Sequence, residues 1–196
     1  PLAVTALVPL ALFPLAGLGG IEDQAKAYAH PLIILFLGGF LVARAIELWE
    51  LHLALATRLL SRVGREPSAV IAGLMLVTAF LSFWISNTAS TMVMAPIAAA
   101  MAASRPSDER FAVAALLGVA YAATIGGMGS LIGTPPNAIL AAHLSERYDR
   151  VIGFAEWALI GLPVVAVMLP LVWLLLTKVQ YRPNAGLFDL PSSNAP

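Results

Sequence analysis

The 196 residues are 60% hydrophobic and 11% charged, against about 25% charge in an ordinary soluble domain, so there is too little polar side chain to cover a soluble surface. Basic and acidic residues balance at 11 each with no basic block, which excludes the charge pattern of a nucleic-acid binder. The absence of cysteine excludes disulfides and thiolate metal sites, a mean hydropathy of +0.87 reads as a protein of the membrane, and the apolar runs that follow predict an all-α fold. Pro1 stands inside an apolar run with no basic leader before it, so no signal peptide is visible and a piece of something longer is expected.

Leu2 to Leu18 is the first apolar run, interrupted by Pro9 and Pro14 and closed by Gly19-Gly20. A polar loop is expected from Glu22 to His30, followed by a second run from Pro31 to about Ala43, with Arg44 and Glu47 near its end where long side chains snorkel. These residues, 1–46, are expected to be scaffold helices. In 47–65 the pattern changes: Leu48, Leu51, Leu55, Leu59 and Val63 fall on one helical face, Glu50, Arg58, Ser61, Arg62 and Arg65 on another. An amphipathic helix along the membrane surface fits this, with a soluble-type surface helix as the alternative.

Two shorter runs follow, Ala69 to Ile85 and Ala89 to Ala103, on either side of Ser86-Asn87-Thr88. Each falls short of the roughly 20 residues a spanning helix needs, which predicts a re-entrant hairpin over 66–109. Arg62 and Arg65 precede it and Arg105 and Arg110 follow it, so both mouths carry cytoplasmic-type charge, although two full crossings would also return the chain to one side. Phe111 to Met128 reads as a span that breaks at Ser130-Leu-Ile-Gly-Thr-Pro-Pro-Asn137 and resumes as Ala138 to Leu144, giving a broken helix over 110–150. A loop carrying Glu146, Arg147, Asp149 and Arg150 comes next. Val151 to Thr177 is a further span (151–178), Lys178 and Arg182 mark the cytoplasmic side again, and the polar tail over 179–196 is expected to be disordered from about Pro183.

The two polar breaks carry the function. Gly, Pro, Ser, Thr and Asn at membrane depth expose backbone groups that hydrocarbon cannot satisfy, so such breaks persist only where buried in protein or lining a watery cavity. Carriers use broken helices of this kind to hold ions on freed carbonyls and small anions on half-helix N-termini. The string Leu81-Ser-Phe-Trp-Ile-Ser-Asn-Thr-Ala89, then Pro96, then Ala120-Tyr-Ala-Ala-Thr-Ile-Gly-Gly and Leu-Ile-Gly-Thr-Pro-Pro-Asn137 resembles the divalent anion/sodium symporter family, carriers of dicarboxylates, citrate or sulfate. Leu35 to Ala43 and the amphipathic stretch fit as well, so the likeness covers nearly the whole chain. Family members have two inverted repeats, each with a Ser-Asn-Thr hairpin and a broken helix; here there is one, as in an N-terminal repeat lacking its first helix.

The resemblance implies one inverted-repeat half of a secondary transporter: a sodium-coupled symporter of di- or tricarboxylates, working by an elevator movement, multi-pass in the plasma (inner) membrane and homodimeric. The second repeat would come from the same or another chain, and no organic cofactor is implied. From the residues, Ser82 and Ser86 stand four apart on one helical face and Asn87 adds an amide oxygen. Pro135 and Pro136 remove donors beside Gly133 and free carbonyls, which together make a hard-oxygen site suited to Na⁺. By resemblance the sodium ligands are Ser82, Ser86, Asn87 and the backbone near Gly133. Either serine alone can equally bond back to a carbonyl of its own helix.

Asn87 and Thr88 at the start of a half-helix, with Thr134 at the second break, offer amides and a helix dipole to a carboxylate. The resemblance puts Asn87, Thr88, Thr134 and Pro135 around one carboxylate of the substrate. Without Arg or Lys in these segments, the anion's charge must be compensated by Na⁺ and backbone dipoles, a physical reason for coupling. A sodium-independent exchanger of the same fold is the alternative, against which Ser82, Ser86 and Asn87 stand. An intramembrane enzyme would need a partnered nucleophile, and neither serine has a His in its segment. His30, His52 and His143 are too scattered for a metal site, and Gly127-Met-Gly129 matches no dinucleotide fingerprint. Glu156 is a proton-relay candidate but sits near an interface, and Trp49, Trp84, Trp157 and Trp173 are candidates for an aromatic belt, with Trp84 beside the cation motif.

Overall fold

A computed structural model describes residues 2–29, 31–49, 58, 64–184 and 186, and all the regular structure among them is helical. The chain divides into two compact units, Pro1–Phe40 and Leu41–Pro196. In the first, α1 (Leu2–Leu15) contains Pro9 and Pro14. It stops where Gly17 and Gly19 take φ of +73° and +117°, a region that glycine enters without steric cost. The expected loop from Glu22 is instead a helix, α2 (Ile21–Tyr28), with Glu22 and Asp23 in its first turn and Lys26 in its last, the arrangement its dipole favours. Tyr28 ties it to α1 by donating its hydroxyl proton to the Ala6 carbonyl. α3 (Pro31–Leu48) runs five residues past the expected end at Ala43, so Arg44 and Glu47 lie within the helix. The predicted amphipathic helix over 47–65 falls almost wholly outside the described residues.

The second unit holds α4 (Pro67–Trp84), α5 (Asn87–Ala103), α6 (Glu109–Met128), α7 (Pro135–Tyr148) and α8 (Phe154–Leu174), the last continuing as a π-helical turn over Leu175–Gln180. α6 is the hub, packing against α4, α5 and α8. Its inner surface is built from small residues, Ala114, Ala115, Gly118, Ala122, Ala123 and Gly126, all buried. In a bilayer the solvent is as apolar as the side chains, so this association rests on close van der Waals packing that small residues allow. Gly126 shows it best, since a Cβ there would collide with the backbone of Ala79. Phe111, Ile71, Leu74 and Met94 fill the space around this seam with no exposed surface.

α4 and α5 are joined through Ile85 and Ser86 alone, both extended, and α5 starts at Asn87. α4 begins two residues before the expected run and reaches 18 residues, about 27 Å at the α-helical rise. Among the described residues it is one of three helices, with Glu109–Met128 and Phe154–Gln180, long and apolar enough to cross a membrane. The short-arm argument for re-entrance therefore does not hold for α4. α7 resumes at Pro135, before the expected Ala138, and takes Glu146 and Arg147 into its last turn rather than leaving them in a loop. α8 is only 17% buried over its most apolar window, against 61% for α4, so most of its surface faces outward.

Candidate functional site

Helix ends normally leave four carbonyls or four amides without a partner, and in an apolar setting each must be accounted for. At the end of α4, Ser82 is fully buried, and its Oγ lies 2.6 Å from the Ala123 carbonyl and 2.8 Å from Asn87 Oδ1. A hydroxyl has one proton, so it can donate to only one of the two. One residue on, the Phe83 carbonyl accepts from Ser130 Oγ at 2.6 Å.

The end of α6 is closed in the same way. Met128 O accepts from the Trp157 indole at 3.1 Å, and Gly127 O and Ser130 O both accept from Asn137 Nδ2, at 3.0 and 2.8 Å. Gly133 N–H donates to Ser130 Oγ at 2.9 Å. At the start of α7, Pro135 and Pro136 provide no N–H for the Leu131 and Ile132 carbonyls. The Asn137 N–H, which would serve Gly133 in a regular helix, bonds the Thr134 carbonyl at 3.1 Å. The Gly133 carbonyl is thus released from helical pairing.

The two breaks meet at Gly127. The Asn87 amide lies on its Cα, and its carbonyl lies against Gly133. A Cβ built on Gly133 would sit 2.6 Å from Gly127 O and 2.8 Å from Ser82 O, so no larger residue fits without moving backbone. Ser82, Asn87, Gly127 and Gly133 therefore form one cluster of neutral oxygens.

The expected site residues divide. Ser82, Asn87 and Gly133 come together. Ser86 does not lie on a helical face with Ser82, because α4 ends at Trp84; it is exposed, and its hydroxyl caps α5 by accepting from the Ala89 N–H at 3.2 Å. Thr88 is exposed in the first turn of α5, Thr134 is half-buried as the N-cap of α7, and Pro135 is exposed beside it. The first-turn amides of Asn87 and Thr88 have no partner within α5, which suits an anion. The second break differs from expectation: with two prolines leading and Asn137 N–H engaged, it offers the Thr134 hydroxyl and a helix dipole in place of free amides.

The donor set fits a hard monovalent cation. It contains hydroxyl, amide and carbonyl oxygens, and no Asp, Glu, Lys or Arg occurs from Pro67 to Ala103 or from Phe111 to Leu144. Zinc and calcium sites draw on thiolates, imidazoles or carboxylates, and among the described residues no group of three such side chains converges. Sequence reasoning missed Ser130 and Asn137, both buried, whose side chains hold the break in shape. It also missed the indole bonds of Trp157 to Met128 O and of Trp173 to Ser68 O, which make these tryptophans helix-end donors. Trp84 stacks on Phe154 and meets Phe83 edge-on. Glu156 pairs with Arg150 at 3.1 Å, both well exposed.

Apolar helices of spanning length among the described residues indicate an integral membrane protein. A family model described as citrate transporter matches residues 1–186, and the chain belongs to that family. It is 38% identical over 192 residues to the sodium-dependent dicarboxylate transporter SdcS of Staphylococcus aureus strain NCTC 8325 / PS 47, covering 93% of this chain and 37% of the relative. The SdcS proteins of strains COL and MRSA252 match to the same extent. The chain thus spans little more than a third of the length of these relatives.

Proposed function

We propose that this chain forms one half of a secondary active transporter that carries di- or tricarboxylate anions together with Na⁺. The observation that carries the reading is the meeting of the two breaks at Gly127, which sets the oxygens of Ser82 and Asn87 beside Gly133. In this reading Na⁺ is held by Ser82, Ser86, Asn87 and the backbone around Gly133, with Ser86 offering the lone pair of its hydroxyl that the Ala89 N–H leaves free. The anion's carboxylate is held by Asn87, Thr88, Thr134 and Pro135. Likeness to the sodium-dependent dicarboxylate carriers supports both assignments.

Asn87 belongs to both sites and supplies the coupling. With its oxygen turned toward Ser82 the amide competes for one hydroxyl proton, and a cation relieves the confrontation of lone pairs. The same orientation turns Nδ2 away from the cluster, available to the carboxylate. With no cationic side chain in these segments, an anion bound alone would be poorly compensated in a low-dielectric site. Residues 66–109 act as a cytoplasm-facing re-entrant hairpin that moves with the broken helix and α8 in an elevator step. Residues 1–46 serve as the scaffold and dimer contact, a second repeat completes the site, and the protein resides in the plasma (inner) membrane.

The test is uptake of labelled succinate and citrate by the carrier expressed from its complete open reading frame, in sodium and in choline medium. Uptake of either anion that requires sodium supports the reading. Equal uptake in both media rejects it in favour of exchange.

A further inference from the structure

The Ser130 hydroxyl bridges two backbone segments that each carry one side of the oxygen cluster. It donates to the Phe83 carbonyl, one peptide from Ser82, and accepts from the Gly133 N–H. Ser130 is fully buried, and its own carbonyl is held by Asn137 Nδ2. The segments it joins are 47 residues apart along the chain from Phe83 to Ser130, yet a Cβ on Gly133 would sit 2.8 Å from the Ser82 carbonyl. One side chain therefore sets the spacing between the end of α4 and the break before α7.

From this we propose that Ser130 is a positioning residue for the cation, acting through the Ser82 and Gly133 backbones and touching neither the ion nor the anion. The inference rests on the sodium-coupled reading above. It separates two properties that a general packing role would not: removing the hydroxyl loosens the cation cluster and leaves the anion-facing first turn of α5, with Asn87 and Thr88, in place. The backbone groups set free are the half-buried Phe83 carbonyl and the buried Gly133 N–H, and the break relaxes to satisfy them.

The experiment is sodium-dependent succinate uptake by the intact carrier carrying Ser130→Ala or Ser130→Cys, with rates normalised to carrier in the membrane. Loss of two buried hydrogen bonds raises the half-saturating sodium concentration of Ser130→Ala about tenfold, while maximal uptake and anion half-saturation at saturating sodium stay within about twofold of the parent. Ser130→Cys, with a weak donor of similar size, shifts sodium half-saturation about threefold. If Ser130→Ala fails to accumulate, the cysteine variant decides alone. Unchanged sodium half-saturation, or a fall in maximal uptake without a shift in it, overturns the inference. A parent protein indifferent to sodium overturns the functional reading itself, which these outcomes keep distinct.

Discussion

The Asn87 amide rests directly on the Cα of Gly127, with Oδ1 filling the place where a side chain would begin. The contact joins the first residue of α5 to the last turn of α6, forty positions along the chain. It explains why two polar breaks, each costly in an apolar setting, occur together: the groups freed by one are next to those freed by the other.

Gly127→Ala follows from this contact. The added methyl group must displace Asn87, since Gly127 is buried within α6. Overpacking of this kind costs about 1–3 kcal/mol, and here it falls on Asn87, the residue we propose for both sites. The expected result is weakened sodium and anion dependence together, measured as half-saturation for each. A change in only one would separate Asn87 from the other site.

Asp108 predicts a stability effect away from the site. It is 2% exposed, caps α6 through the Phe111 N–H at 3.1 Å, and accepts from Asn184 N–H at 3.1 Å on its second oxygen. Arg105 stands 3.7 Å from that oxygen and donates to the Asn184 and Gly186 carbonyls. Asp108→Ala loses the cap and one further bond, about 2 kcal/mol in all. Asp108→Asn keeps the capping oxygen and is expected to lose less. Thermal unfolding in detergent, followed by retention of monodisperse carrier, ranks the two; equal losses would assign the effect to charge pairing with Arg105 instead.

Trp157→Phe removes the indole donor from Met128 O but keeps most of the ring. Leaving that carbonyl without its donor costs about 1–3 kcal/mol of stability. Trp173→Phe removes the indole donor from Ser68 O in the first turn of α4, a carbonyl that keeps its place in the helical ladder, so a smaller loss is expected. A belt role would instead predict little change for either variant in detergent, where no bilayer interface exists.

Much of this architecture was legible in the residues because apolar runs and Gly, Pro and Asn breaks reflect hard constraints on backbone in lipid. The helix break at Gly133 was readable from Pro135 and Pro136, which lack N–H donors. The failures have equally physical causes. Ser82 and Ser86 look like one helical face by spacing, but nothing about Ile85 announces that it is extended. Glu22 to Tyr28 looks like a loop by polarity, yet its charges are ordered for a short helix. Ser130 and Asn137 act through partners set by tertiary packing, and no local pattern encodes a bond from Ser130 to Phe83.

Topology gives a separate prediction. Gly64 and Ser107, at the two mouths of residues 66–109, are both exposed. Cysteines at these positions are expected to react with an impermeant thiol reagent from the cytoplasmic side only. Labelling of one mouth from each side would make α4 a full crossing, as its 18 residues allow.

The central claim is that sodium and the anion share Asn87, and linkage tests it most directly. Succinate uptake by the intact carrier is measured across a full grid of sodium and anion concentrations for the parent, Ser82→Ala and Asn87→Ala. Linkage requires that saturating anion lower the sodium half-saturation by the same factor as saturating sodium lowers that of the anion, when both report binding. Ser82→Ala is predicted to raise sodium half-saturation about tenfold and to weaken anion binding only where sodium is limiting. Asn87→Ala is predicted to weaken both at every concentration. Anion half-saturation that stays constant across the sodium range in the parent would contradict the account.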